Sequence, residues 1–122
     1  MQHDNNPKGA EGAKKRPLEL VPPELMRAAA GAFALGAKKY GPFNWRVMPV
    51  SAATYYAAAE RHMLAFWDGE KFDPETGECH LHSAIACLGI IVDARKHGTL
   101  IDDRSTDLYK RFLEKKQEIK IT

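Results

Sequence analysis

The sequence predicts an all-α fold, on three observations. Apolar residues return at helical spacing in four stretches, proline, serine, threonine or glycine bounds most of them, and no alternating run with a hairpin turn interrupts them. At 122 residues the chain is one domain, long enough to bury a core and short enough that a site can need a second subunit to close it. A formal net charge of +2 and a hydrophobic share of 44% argue against disorder and against a strongly basic nucleic-acid surface. No apolar run has the length to span a bilayer and the N-terminus is polar, so a soluble, cytoplasmic protein is expected, with no membrane partner. Internal repeats, a Walker-type glycine loop and a Gly-x-Ser-x-Gly elbow are all missing.

Residues 1–16 mix Asn, Gly, Lys, Glu and Pro with almost no apolar side chain, which predicts an extended, flexible, locally basic arm ahead of a helical domain over 17–122. Pro22-Pro23-Glu24 then suits a helix start, because the first turn has no use for the proline N–H and an acid there complements the helix dipole. Leu25, Ala29, Phe33, Gly36 and Tyr40 carry the period to Gly41-Pro42, giving a helix over Pro23–Tyr40 with Lys38 and Lys39 in its last turn. Ser51 caps a second helix, Ala52–Asp68, striped by Ala52, Tyr55, Tyr56, Ala59, Met63 and Phe66. On its wheel Glu60 and His62 fall on opposite flanks of that stripe. A third helix, Cys79–His97, is apolar or small nearly all round, as a central helix or one facing a partner subunit would be, and His82 and Asp93 on its second side each need a polar partner. Ser105 or Thr106 caps a half-exposed fourth helix, Thr106–Ile119. Cys79 and Cys87, two helical turns apart, are expected as free thiols.

Chemistry concentrates between the second and third helices. From Glu60 to His82 lie Glu60, His62, Asp68, Glu70, Asp73, Glu75, Glu78, His80 and His82. Carboxylates suit a hard divalent cation and imidazole can ligate or move a proton near neutral pH, so this set reads as a Mg²⁺ or Mn²⁺ site as well as a solvated acidic turn. Phe43-Asn44-Trp45-Arg46 adds two aromatics, an amide and a guanidinium, groups able to stack on a base and bind phosphate.

With the elements placed, the segments Leu18-Glu-Leu-Val-Pro-Pro-Glu-Leu25, Gly36-Ala-Lys-Lys-Tyr-Gly41, Asn44-Trp45-Arg46, Arg61-His62, Gly69-Glu70, Asp73, Gly77 and His80-Leu81 together resemble the phage dATP/dGTP diphosphohydrolase N-terminal-type family, related to MazG-like all-α nucleoside triphosphate pyrophosphatases. The likeness runs from about Lys14 to Gly98. It implies a four-helix bundle of the MazG-like type, a homo-oligomer (dimer or tetramer), and Mg²⁺-dependent cleavage of a purine deoxynucleoside triphosphate to the monophosphate and pyrophosphate. MazG-like enzymes usually show Glu-x-x-Glu on one helix and Glu-x-x-Asp on the next. This chain has Glu60 and His62, then His80 and Ser83.

On that resemblance the expected metal ligands are Glu60, Glu70, Asp73 and Asp93, with His62 and His80 as catalytic ligand or proton acceptor. Lys38, Lys39, Arg46 and Arg61 would hold phosphates, and Tyr40, Asn44 and Trp45 would meet the base. The rival reading is a non-enzymatic phage accessory protein that binds nucleic acid or a host factor through the basic arm and terminal helix, with salt-sensitive DNA binding as its mark.

Overall fold

A computed structural model describes residues 5–121 and is all-helical apart from one two-stranded pair. Residues 1–4 of the arm, and Thr122, lie outside the described residues. The arm differs from its expected extended form. Pro7–Gly12 is a short helix, α1, because Asn6 Oδ1 accepts from Lys8 N at 2.9 Å and Pro7 presets the first turn. A 3₁₀ turn at Leu18–Leu20 leads into α2, Pro23–Tyr40, and a second one at Asn44–Arg46 precedes strand β1, Val50–Ser51. Helix α3 spans Ala52–Trp67 and α4 spans His80–Lys96. They are followed by β2, Leu100–Ile101, and α5, Ser105–Ile121. The predicted Ser51 cap is present, with its hydroxyl accepting from Thr54 N at 3.2 Å. No described helix is long and apolar enough to cross a membrane.

Helices α3 and α4 form an antiparallel hairpin, the most extensive contact in the fold, and α2 lies against α4. Small residues set the closeness of the hairpin. Ala59 and Ala94 are wholly buried, with Ala52, Ala84 and Ala86 almost so. Where α2 crosses α4, a Cβ on Gly89 would stand 3.2 Å from Phe33 Cζ, so glycine there lets the ring lie on the helix backbone. Parallel pairing of β1 with β2, Val50 opposite Leu100 and Ser51 opposite Ile101, ties the entry of α3 to the exit of α4. The Ser51 hydroxyl also donates to Asp103, which accepts from Ala53 N at 2.8 Å as well. Helix α5 stands off this body, with Leu108, Tyr109, Phe112 and Leu113 exposed. The tightly packed part is therefore three helices, with the fourth expected helix projecting from it.

The turn after α2 is docked by one carboxylate. Trp45, buried in the aromatic pair with Phe33, donates its indole N–H to Asp93 Oδ2 at 2.7 Å. Arg46 grips the same group with two bonds, 2.8 and 3.0 Å, while its guanidinium lies 4.3 Å over the Phe43 ring. The Arg46 and Trp45 hydrogen bonds hold the Asp93 pKa down to about 2. Because the folded value lies below the ordinary one, the clamp is at full strength above the usual carboxylate range and weakens as pH falls towards that value. Asp93→Ala, which orphans a buried indole N–H, is expected to cost about 2 kcal/mol in urea unfolding. The stability gap between wild type and Asp93→Asn should narrow as pH drops from about 4 towards 2.

Candidate active-site cleft

Between α2 and the hairpin opens a cleft of about 580 Å³, lined on the α2 side by Phe33, Lys39, Tyr40, Asn44 and Trp45 and on the hairpin side by Tyr55, Arg61, His62, Asp73, Ser83 and Cys87. Its histidine end is built by local chain geometry. Helix α3 ends in a Schellman turn. Gly69, at φ 106°, donates to Phe66 O at 3.1 Å, and Glu70 N reaches back to Ala65 O at 2.9 Å. That turn delivers the Glu70 side chain to α4, where Oε1 lies 2.7 Å from His80 Nε2. The loop then closes on itself. Asp73 N donates to Glu78 O at 2.8 Å, Gly77 N to Asp73 O at 2.7 Å, and His80 N to Lys71 O at 3.0 Å. Asp73 Oδ1 accepts from Glu75 N at 2.9 Å, which aims the carboxylate and leaves its other oxygen available.

His62 from α3 and His80 from the first turn of α4 meet with their Nδ1 atoms 2.9 Å apart and ring centroids 5.1 Å apart. Ligating atoms of His62, Asp73 and His80 all lie within 4.8 Å of one another, with His80 buried and the other two half-buried. Two imidazoles and a carboxylate are a donor set that fits a divalent cation. Burial first, then the neighbouring His80, lowers the pKa of His62, and Asp73 pulls the other way, so the ring is neutral at neutral pH. Burial pushes the Tyr55 phenol and the Cys87 thiol upward, which keeps both protonated within the cleft. Cys79 and Cys87 are both free.

The expected residues divide. His62, Asp73 and His80 are brought together, with Glu70 behind His80; Lys39, Tyr40, Asn44, Trp45 and Arg61 line the same cleft. Glu60 and Asp93, expected as metal ligands, are not brought to this cluster. Glu60 lies with Tyr56 on the opposite flank of α3, beside the start of α5, and Asp93 is occupied by Trp45 and Arg46. Lys38 is exposed and off the cleft lining, and Arg46 is held by the clamp. Phe33, Tyr55, Ser83 and Cys87 line the cleft without having been singled out. Phe33 and Tyr55 were legible only as stripe residues. A second imidazole–carboxylate pair, His82 Nδ1 with Glu78 Oε1 at 2.7 Å, gives His82 its required partner.

The sequence model of the dATP/dGTP diphosphohydrolase N-terminal family matches residues 5–104. A curated relative, the dATP/dGTP diphosphohydrolase of Salmonella phage PMBT28, is 31% identical over 90 residues, 74% of this chain and 30% of that protein. The chain thus spans less than a third of the length of the curated relative it matches. No solved structure gives a significant match. The chain belongs to the dATP/dGTP diphosphohydrolase N-terminal family.

Proposed function

We propose that this domain is the catalytic part of a deoxynucleoside triphosphate diphosphohydrolase, an all-α relative of the MazG-like pyrophosphatases. It would convert dGTP or dATP to the monophosphate and pyrophosphate in the cytoplasm of a phage-infected host. The observation that carries the reading is one cleft holding both an aromatic and amide wall and the His62, Asp73 and His80 cluster. Family membership supports the substrate class, because the phage relative is named for dATP and dGTP.

A divalent cation at His62, Asp73 and His80, Mg²⁺ or Mn²⁺ on the family resemblance, would supply neutralising charge for the triphosphate and acidify a water. The chain's own groups divide the remaining work. Lys39 and Arg61 hold phosphate oxygens, and Tyr40 and Trp45 offer ring faces to a base. Asn44 Nδ2 is committed to Gly41 O at 3.1 Å, so its carbonyl oxygen is the atom left to accept a hydrogen bond from a purine amino group. Water attacks the α-phosphorus and its proton passes to solvent in the cleft, because the lone pair of a neutral His62 would be given to the cation and its other ring nitrogen carries the ring's own proton. The bond from that phosphorus to the bridging oxygen then breaks and pyrophosphate leaves.

The same reading includes a homo-oligomer. Tyr56, Met63 and Trp67 on α3, and Leu81, Leu88 and Val92 on α4, follow the same i, i+7, i+11 spacing and are all exposed, Trp67 at 85%. Among the described residues no large side chain is fully buried, so one copy encloses little apolar volume. A second copy laid on this face would supply the missing half of a four-helix core.

With metal present, the wild-type chain is expected to release pyrophosphate rather than orthophosphate from dGTP or dATP. His62→Ala and Asp73→Ala should lower kcat/KM by roughly 100-fold or more at unchanged helix content, whereas Lys38→Ala stays within about twofold. Pyrophosphate release at wild-type rates from both cluster variants would remove the site assignment. No release from any nucleotide would remove the enzyme reading. In sedimentation equilibrium, wild type should run as a dimer or larger and Leu88→Asp should shift it to monomer; a monomeric wild type at micromolar concentration rejects the shared core.

A further inference from the structure

The donor set at the head of the cleft is two imidazole nitrogens and one carboxylate oxygen. Glu70 Oε1 accepts from His80 Nε2 at 2.7 Å, which puts the proton of a neutral His80 on Nε2 and leaves Nδ1 as a bare lone pair. That lone pair faces His62 Nδ1 at 2.9 Å. Two nitrogens at this separation, each about 2.1 Å from an ion, subtend roughly 90° at it, the angle between neighbouring positions of an octahedron. The Asp73 carboxylate, with an oxygen within 4.8 Å of the ligand nitrogens, supplies the third donor. A carboxylate on the far nitrogen of a ligating imidazole is the usual way a protein fixes ring orientation and tautomer. Nitrogen donors favour borderline first-row ions, whereas Mg²⁺ prefers oxygen.

We infer that His62 Nδ1, His80 Nδ1 and Asp73 form a two-histidine, one-carboxylate centre for a transition-metal ion of the Mn²⁺, Fe²⁺, Co²⁺ or Zn²⁺ class, with Glu70 as its positioning residue. Of the two ions that the family resemblance implies, these nitrogen donors fit Mn²⁺ better than Mg²⁺. This deepens the hydrolase reading but concerns metal binding, which is measured without nucleotide. Glu70, expected as a ligand, instead acts through His80.

The full chain, stripped with chelator and dialysed, is titrated with CoCl₂ and followed by visible absorption, with MgCl₂, MnCl₂ and ZnCl₂ as competitors. One Co²⁺ per chain should bind and develop ligand-field bands. Zn²⁺ should displace it near equimolar concentration, and Mg²⁺ should fail to do so even at a 100-fold excess. His62→Ala and Asp73→Ala, both at half-buried positions and checked for helix content, should lose the bands. Glu70→Gln should keep the one-to-one stoichiometry with affinity lowered roughly 10- to 100-fold. Displacement by equimolar Mg²⁺ overturns the inference, as does wild-type Co²⁺ binding by a folded His62→Ala protein. Cobalt binding without pyrophosphate release under any metal rejects the hydrolase reading and leaves the centre standing. Release with Mg²⁺ from a chain that binds no Co²⁺ does the reverse.

Discussion

Close contact between α3 and α4 is the constraint on which the other features rest. Ala59 and Ala94 have no exposed surface, so the two helices meet almost backbone to backbone, and their register leaves little room to slide. Alanine contributes little transfer energy per residue, and what it gives instead is proximity. That proximity lets an imidazole on the last turns of one helix reach an imidazole on the first turn of the next. The twelve residues between the helices then act as a fitted connector, with each end fixed by backbone bonds: the Schellman turn at Gly69 and the pairing of Lys71 with His80.

Two carboxylates show how location decides role. Asp73 and Asp93 both stood as candidate ligands, yet one sits in a closed loop with an oxygen to spare and the other is saturated by an indole and a guanidinium. An aspartate that accepts three hydrogen bonds from one turn has little left for a cation. Its work is architectural, since Trp45 forms part of the cleft wall and would have no fixed position without it.

The helices were legible because their signals are local. Period, caps and terminal glycines lie within a turn or two of what they specify, and the ends of α2, α3 and α4 fall within a residue or so of expectation. The opposite placement of Glu60 and His62 was also legible, from the wheel alone. Pairings across long sequence separations were not. Nothing near Asp93 in the chain announces Trp45, 48 residues earlier, and nothing marks Glu70 as the partner of His80 rather than of a cation. Phe33 and Tyr55 read as core residues because a cleft wall and a core face share one periodicity. The short helix at Pro7–Gly12 escaped because six residues carry too little pattern.

Helix α2 reaches the hairpin through α4, with its crossing point at Phe33 and Gly89. Lys39 and Tyr40 lie near its far end, on the opposite lip of the cleft from Arg61. Mechanically this is a jaw on a fulcrum, where a small change of bulk under Phe33 is magnified along the helix into a larger change at the lip. The gape of the cleft is therefore adjustable from a position that touches neither the histidines nor Asp73.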